Sequence, residues 1–320
     1  MHIPDGFLEL RTAGATAALS ATGLYAAFRH LKNGLPRRKV PLMGLAAAFV
    51  FVAQMLNFPV AGGTSGHLVG AVLVAVLLGP SAAIVVMTAV LSVQCLLFAD
   101  GGILALGANV FNMAIVAVLG GYAIFRTVTR FLPGRRGLLA ATSFASWCST
   151  LLAALCCAGE LAASGVVPWG AVFPAMLNVH MLIGLGEALI TTLVILAIER
   201  TRPDLVNLAI RRSEPAAYRL IVVYGLLVTT GLVLFVAPFA SGLPDGLEHV
   251  AESLGFAHRE VPALLPSPIA GYELPLIGSA TAATWVAGLI GAGVVFALAL
   301  GLSIALTPKA ADGSQSPTRV

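Results

Sequence analysis

Nine apolar stretches leave this chain almost no polar surface to fold with. They cover approximately residues 8–28, 40–56, 67–78, 81–98, 103–125, 138–163, 170–198, 219–239 and 280–306. Of 320 residues, 58% are hydrophobic and 10% charged, where a soluble domain carries about 25% charged residues. So few charges cannot cover a globular surface in water, whereas a bilayer accepts apolar helices of this length. The 34 glycines suit closely packed transmembrane helices. The expected fold class is all-α: a polytopic helical membrane protein, with a seven-span bundle and two further transmembrane helices.

The third stretch is short, and fusing it to the fourth across Gly79-Pro80 would give eight spans. Cationic residues decide against fusion, because they gather on the cytoplasmic side. With nine spans, one side holds Arg29, Lys32, Arg37, Arg38 and Lys39, then Arg126, Arg130, Arg135 and Arg136. It also holds Arg200, Arg202, Arg211, Arg212 and Arg219, then Lys309 and Arg319. Only Arg11 and Arg259 fall elsewhere. Gly79-Pro80 is therefore expected to be a tight cytoplasmic turn, with the N-terminus outside and the C-terminus inside a cytoplasmic membrane. Residues 1–200 form the first block and 201–218 a basic cytoplasmic linker. Residues 219–306 carry two spans around an extracytoplasmic loop, and 307–320 are a cytoplasmic tail. That loop holds Pro244, Pro262, Pro266, Pro268 and Pro275 and is expected to be only partly ordered.

The chain opens MHIPDGF. No basic segment and apolar core with a small-residue cleavage site precede the first span, so Met1 is expected to be the mature terminus. A deprotonated terminal amine, the His2 main-chain nitrogen and the His2 imidazole make a compact three-nitrogen chelate. Such a set supplies three corners of a square, a geometry that favours Ni(II) or Cu(II), with Co(II) also a fit. With His at position 2 one corner stays open. His67, in NFPVAGGTSGHLVG, lies on the same expected side as Met1, and Gly62, Gly63 and Gly66 would let its loop approach the terminus. His30 lies in a cytoplasmic connection. His249 and His258 read as solvated loop residues, and Cys95, Cys148, Cys156 and Cys157 as apolar packing.

Several segments, MHIPDGFL, GGTSGHLVGAVLVAVLLGPSAA, QCLLFADGGILALGANVFNMA and NVHMLIGLGEALIT, resemble the CbiM/NikM family. These are the substrate-specific S components of energy-coupling factor (ECF) transporters for cobalt and nickel. The likeness runs from residue 1 to about 200. The remainder, with SGLPDGLE at 241–248, resembles the PDGLE domain, similar in role to the accessory N component and here fused to the C-terminus. The resemblance implies metal held by the Met1 amine, the His2 main-chain nitrogen, the His2 imidazole and the His67 imidazole. It implies partners as well: a transmembrane T component and ATPase A components, with lipid around the bundle and no nucleic acid. Nickel is favoured over cobalt by the planar nitrogen set and the fused domain. The metal is cargo, and no resident cofactor is expected.

Other polar groups inside the spans are costly and ask for a purpose. Gln94, Asp100, Asn109 and Asn112 are candidates to orient the metal-binding imidazoles, or to cap and pack helices. His180 and Glu187 share a helix face, as a second-shell or ion-path pair or as packing. Ala13, Ala17 and Ala21 form a strip for close helix contact. No phosphate-binding GxxxxGK[ST] loop, GxSxG elbow or HExxH occurs, so neither ATP hydrolysis nor other catalysis is expected. Two rivals remain: an autonomous secondary metal-ion permease, for which Glu187 is the one deep carboxylate of the first block, and a metal-dependent membrane enzyme. The latter needs an open metal position that a closed four-nitrogen square lacks.

Overall fold

The computed structural model describes residues 1–206, 215–274 and 277–307. Arg211, Arg212, Pro275, Lys309 and Arg319 lie outside the described residues. The fold is almost wholly helical, and each apolar stretch becomes a helix. They are α1 (Leu10–Gly34), α2 (Val40–Met55), α3 (Ala71–Leu78), α4 (Pro80–Phe98), α5 (Leu106–Val110), α6 (Ala117–Phe131), α7 (Gly134–Ala163) and α8 (Trp169–Thr201). After the short α9 (Pro203–Val206) come α10 (Pro215–Phe235), α11 (Gly246–Ser253) and α12 (Ala280–Leu306).

Seven helices among the described residues are long and apolar enough to cross a membrane. Two of the nine stretches fall outside that set. Helix α1 has 25 residues, but Arg11, Thr12, Thr16, Ser20 and Thr22 dilute its apolarity. Helix α3 has 8 residues, which rise only about 12 Å. It meets α4 at the expected turn, where Gly79 has φ 89° and Pro80 starts the next helix. The alanine strip of α1 divides. Ala13 is buried and Ala17 abuts Gly107, while Ala21 is exposed.

Ahead of α3, the chain folds into a two-stranded hairpin of β1 (Phe58–Val60) and β2 (Thr64–Gly66), paired Phe58 to Gly66. Gly62 and Gly63 turn it with φ 96° and 80°, values that residues with a Cβ rarely adopt. His67 to Gly70 then run irregularly through the buried interior. Their main-chain groups need partners there. The Val69 and Gly70 N–H groups donate to Glu187 at 2.5 and 3.0 Å, and Gln54 donates to the Val69 carbonyl at 2.8 Å. Glu187 thus supports the loop that carries His67.

Helices α5 and α6 are joined by a π-helical turn, Phe111–Val116, which sends Asn109 and Asn112 to different partners. The two C-terminal helices are not a detached unit. Helix α12 packs on α2, with Gly291 against Phe51 and Gly44 against Phe296. Segment 240–274, expected to be only partly ordered, is folded. The Ser65 N–H and the Thr64 hydroxyl donate to the Pro244 carbonyl at 2.8 and 3.0 Å, and Ser241 donates to the Asn57 carbonyl. Helix α11 carries a capping box in which Asp245 and Glu248 satisfy each other's end of the first turn.

Candidate metal centre

The first seven residues are held by six hydrogen bonds, all to Ile3 and Asp5. The Ile3 N–H donates to Asn109 Oδ1 at 2.8 Å, and Asn109 Nδ2 returns a bond to the Ile3 carbonyl at 3.1 Å. Gly102 donates to the same carbonyl at 2.9 Å. The buried Asp5 carboxylate accepts from the Ile103 and Leu104 N–H groups at 3.1 and 2.8 Å. Gly102 has no room for a side chain, since a Cβ there would lie 2.1 Å from Asp5 Oδ1. From the other side, Val261 donates to the Asp5 carbonyl.

So fixed, the terminus is drawn into the bundle. Met1 is 5% exposed. Its amine lies 3.0 Å from His67 Nε2 and forms an ion pair with Asp245. The His2 ring stacks on the His67 ring, with centroids 5.1 Å apart and planes 22° apart. His67 Nδ1 is 3.1 Å from the Leu68 carbonyl. A carbonyl only accepts, so Nδ1 carries the proton and Nε2 offers its lone pair to the amine.

Carboxylates balance this cluster of nitrogens. Asp100 Oδ1 is 3.0 Å from His2 Nδ1, and Tyr272 donates its hydroxyl to Asp100 Oδ2 at 2.6 Å. Burial alone would raise the Asp100 pKa, but His2 beside it and the Tyr272 hydrogen bond hold it below the usual carboxylate range. Asp245 is held low in the same way, against its burial, by the terminal amine, which also donates to it. Burial, then the positive amine, push His67 down to about 3, so its ring is neutral.

The structure brings Met1, His2 and His67 together. Of the residues flagged as possible helpers, Asp100 touches an imidazole directly, and Gln94 reaches it through Tyr272 at 3.4 Å. Asn109 holds the main chain of Ile3 instead. Asn112 donates to Glu160 at 2.8 Å, so Glu187 is not the one deep carboxylate of the first block: Glu160 on α7 and Asp5 are buried too. His180 lines a small cavity beside Met1 and His67. His249 is half-buried on α11 and His258 is exposed. Asp245 and Tyr272 went unassigned at the level of sequence, although Asp245-x-x-Glu248 is a legible capping box. Among the described residues no three His, Cys, Asp or Glu side chains form a metal cluster.

Residues 2–205 match the family model described as the cobalt uptake substrate-specific transmembrane region, CbiM, and residues 219–308 match the PDGLE domain. The chain is 38% identical over 306 residues to a putative fused nickel transport protein NikMN of Archaeoglobus fulgidus, covering 95% of this chain and 98% of that protein. It is 36% identical over 234 residues to the fused nickel transport protein NikMN of Rhodobacter capsulatus, covering 68% and 67%. A crystal structure of a truncated transition metal transporter shares 34% identity at a TM-score of 0.58, covering 62% of this chain and 99% of that one. A second transition metal transporter structure shares 32% identity at the same TM-score, covering 69% and 97%.

Proposed function

Because this chain belongs to the CbiM family of nickel and cobalt transport proteins, which are not enzymes, we propose that it is the substrate-binding S component of an ECF-type importer, with Ni(II) as its favoured cargo and Co(II) as the second. The ligands are the Met1 amine, the His2 main-chain nitrogen, the His2 imidazole and the His67 imidazole.

One observation carries this reading: the buried Met1 amine and His67 Nε2 stand 3.0 Å apart. Two nitrogens each about 2.0–2.1 Å from a first-row divalent ion, at neighbouring corners of a square, are separated by about 2.9 Å. The pair is thus already at the spacing that a square-planar ion requires. His2 closes a six-membered chelate through its main-chain nitrogen and Nδ1. That needs a half-turn of the ring, because Nδ1 now faces Asp100. The turn brings Nε2, which has no partner, to the ring position next to the one Nδ1 held. There Asp100 can accept its proton, as carboxylates do for metal-bound histidines.

Charge is conserved on loading. A protonated amine beside Asp245 carries one positive charge. A dication bound to a deprotonated main-chain nitrogen carries the same net charge. Asp245 therefore remains neutralised in both states, which matters for a carboxylate away from bulk water.

The distribution of Lys and Arg supports an outward-facing terminus and an inward-facing C-terminus. In this arrangement the metal enters from outside, a T component and ATPase A components reorient the bundle, and protonation of the nitrogens releases the ion inward. An autonomous permease would need a free coupling carboxylate. Both oxygens of Glu187 are engaged by Val69 and Gly70, whereas Glu160 Oε1 is buried without a partner, so vesicle uptake, and not the carboxylates, separates the two modes.

The test is a parallel Ni(II) and Co(II) titration of the native protein, a version with one residue before Met1, and His67→Ala. Stoichiometric binding should be lost in both altered forms, with nickel bound more tightly by the native one. Normal binding by the extended protein refutes the ligand set. Uptake by the isolated chain in vesicles without nucleotide refutes the ECF mode.

A further inference from the structure

The last turns of α6 carry Arg126 and Arg130, both exposed. They stand four positions apart, so they share one helix face. With Thr127 and Thr129 they line an open cavity of about 430 Å³. The two hydroxyls are spent within the helix. Thr127 donates to the Ala123 carbonyl and Thr129 to the Phe125 carbonyl, each at 2.9 Å. The guanidinium groups therefore supply the donors of this cavity.

Like charges at this spacing repel each other, and an anion between them removes the repulsion. Among the described residues no carboxylate pairs with Arg126 or Arg130. Arg135, just beyond, has Glu199 at 2.9 Å.

The cavity lies at the end of a helix fit to cross a membrane, Leu106–Phe131. Phe131 and Leu132 follow it and are 76% and 51% exposed. On the face of Arg126, Ala123 and Leu119 are exposed as well. Leu119 precedes Arg126 by seven residues, a rise of about 10 Å toward the bilayer interior. One helix face thus sets two unpaired cations at the membrane boundary, above an open apolar track. An anionic phospholipid has the complementary profile, with phosphate at the boundary and an acyl chain beneath it. Guanidinium binds phosphate through paired hydrogen bonds, and basic pockets beside transmembrane helices are sites for acidic headgroups. A zwitterionic headgroup would bring its own cation up to the arginines, and free phosphate makes no use of the apolar track.

We propose that Arg126 and Arg130 form a binding site for the headgroup of an anionic phospholipid, whose acyl chain lies along Ala123 and Leu119. A lipid held there ties the corner between α6 and α7 to one boundary of the bilayer. The site is separate from the metal centre and does not depend on which ion is carried.

The test uses the full chain in mild detergent, with dioleoylphosphatidylglycerol as the probe and native mass spectrometry as the readout. The unaltered protein should retain this lipid in preference to dioleoylphosphatidylcholine. Arg126→Gln/Arg130→Gln should weaken retention by about tenfold or more. Arg29→Gln/Arg200→Gln removes the same charge from exposed positions elsewhere and should change retention by less than about twofold. Equal retention of the two lipids, no loss in the first variant, or the same loss in both variants overturns the proposal. Displacement of the lipid by inorganic phosphate overturns it too, and leaves a site for free phosphate. A second measurement needs no variant to fold: phosphatidylglycerol with a photoreactive acyl chain should label the unaltered protein at Leu119 or Ala123. Labelling that avoids α6 refutes the site.

Discussion

Gly102 touches no proposed ligand, yet its replacement by alanine is expected to weaken metal binding. A Cβ there would lie 2.1 Å from Asp5 Oδ1 and 2.3 Å from the Asp5 main-chain nitrogen. Side-chain rotation cannot relieve the second contact, so the Asp5 turn must move. That turn is held by two hydrogen bonds to the Asp5 carboxylate and one from Gly102 to Ile3. Bonds to a charged group contribute about 1.5–3 kcal/mol each and a neutral one about 1 kcal/mol, so complete release would forfeit roughly 4–7 kcal/mol. Partial accommodation is the rule for over-packing, at about 1–3 kcal/mol. At about 1.4 kcal/mol per tenfold, Ni(II) affinity should fall by about 5- to 140-fold. The assay is competition against a chromophoric chelator, with the native terminus verified by mass spectrometry. Gly278→Ala, where nothing lies within 4 Å, is the control. An affinity for Gly102→Ala within about twofold of the control's would refute the argument that the Asp5 turn seats the ligands.

Tyr272→Phe removes the hydroxyl that donates to Asp100; metal affinity should fall about tenfold with helical content unchanged, and the effect should vanish in an Asp100→Asn background. Binding should release about two protons per metal, one from the amine and one from the His2 amide, a number that calorimetry in buffers of different ionisation enthalpy reads directly. His67 has a folded pKa pushed down to about 3 against about 6.5 when unfolded. Between those values the unfolded chain takes up a proton that the folded chain refuses, so apo stability should fall as pH drops from about 6.5 toward about 3. Denaturant unfolding of His67→Gln across that range should show a shallower loss, and equal slopes would contradict a buried, neutral His67.

The helical architecture was legible because lipid imposes one rule on every span: apolar side chains outside and main-chain bonds satisfied within. Helix α3 illustrates the limit. Its apolar run is uninterrupted, but the irregular His67–Gly70 segment takes the first part of it, since Glu187 and Gln54 stand ready to satisfy that main chain. No local pattern announces such a long-range exchange. That Met1, His2 and His67 come together was readable from donor chemistry, from the expected side of the membrane and from the family resemblance. Asp245 and Tyr272 were not, because they come from a proline-rich segment whose polarity reads as solvated loop. Only folding against the hairpin and α4 places them next to the terminus. The π-helical turn after Asn109 is equally silent in sequence, and it separates the duties of Asn109 and Asn112.

The ion pair between the Met1 amine and Asp245 joins residues 244 positions apart. At about 5–20 residues per second of synthesis, Met1 waits roughly 12 to 50 s for the carboxylate that pairs with it. His67 arrives far sooner, 66 positions along. During biosynthesis the terminus therefore passes through a long interval in which its histidine partner exists and its cover does not. Any enzyme that must trim or modify that amine has this window, and the arrival of α11 closes it.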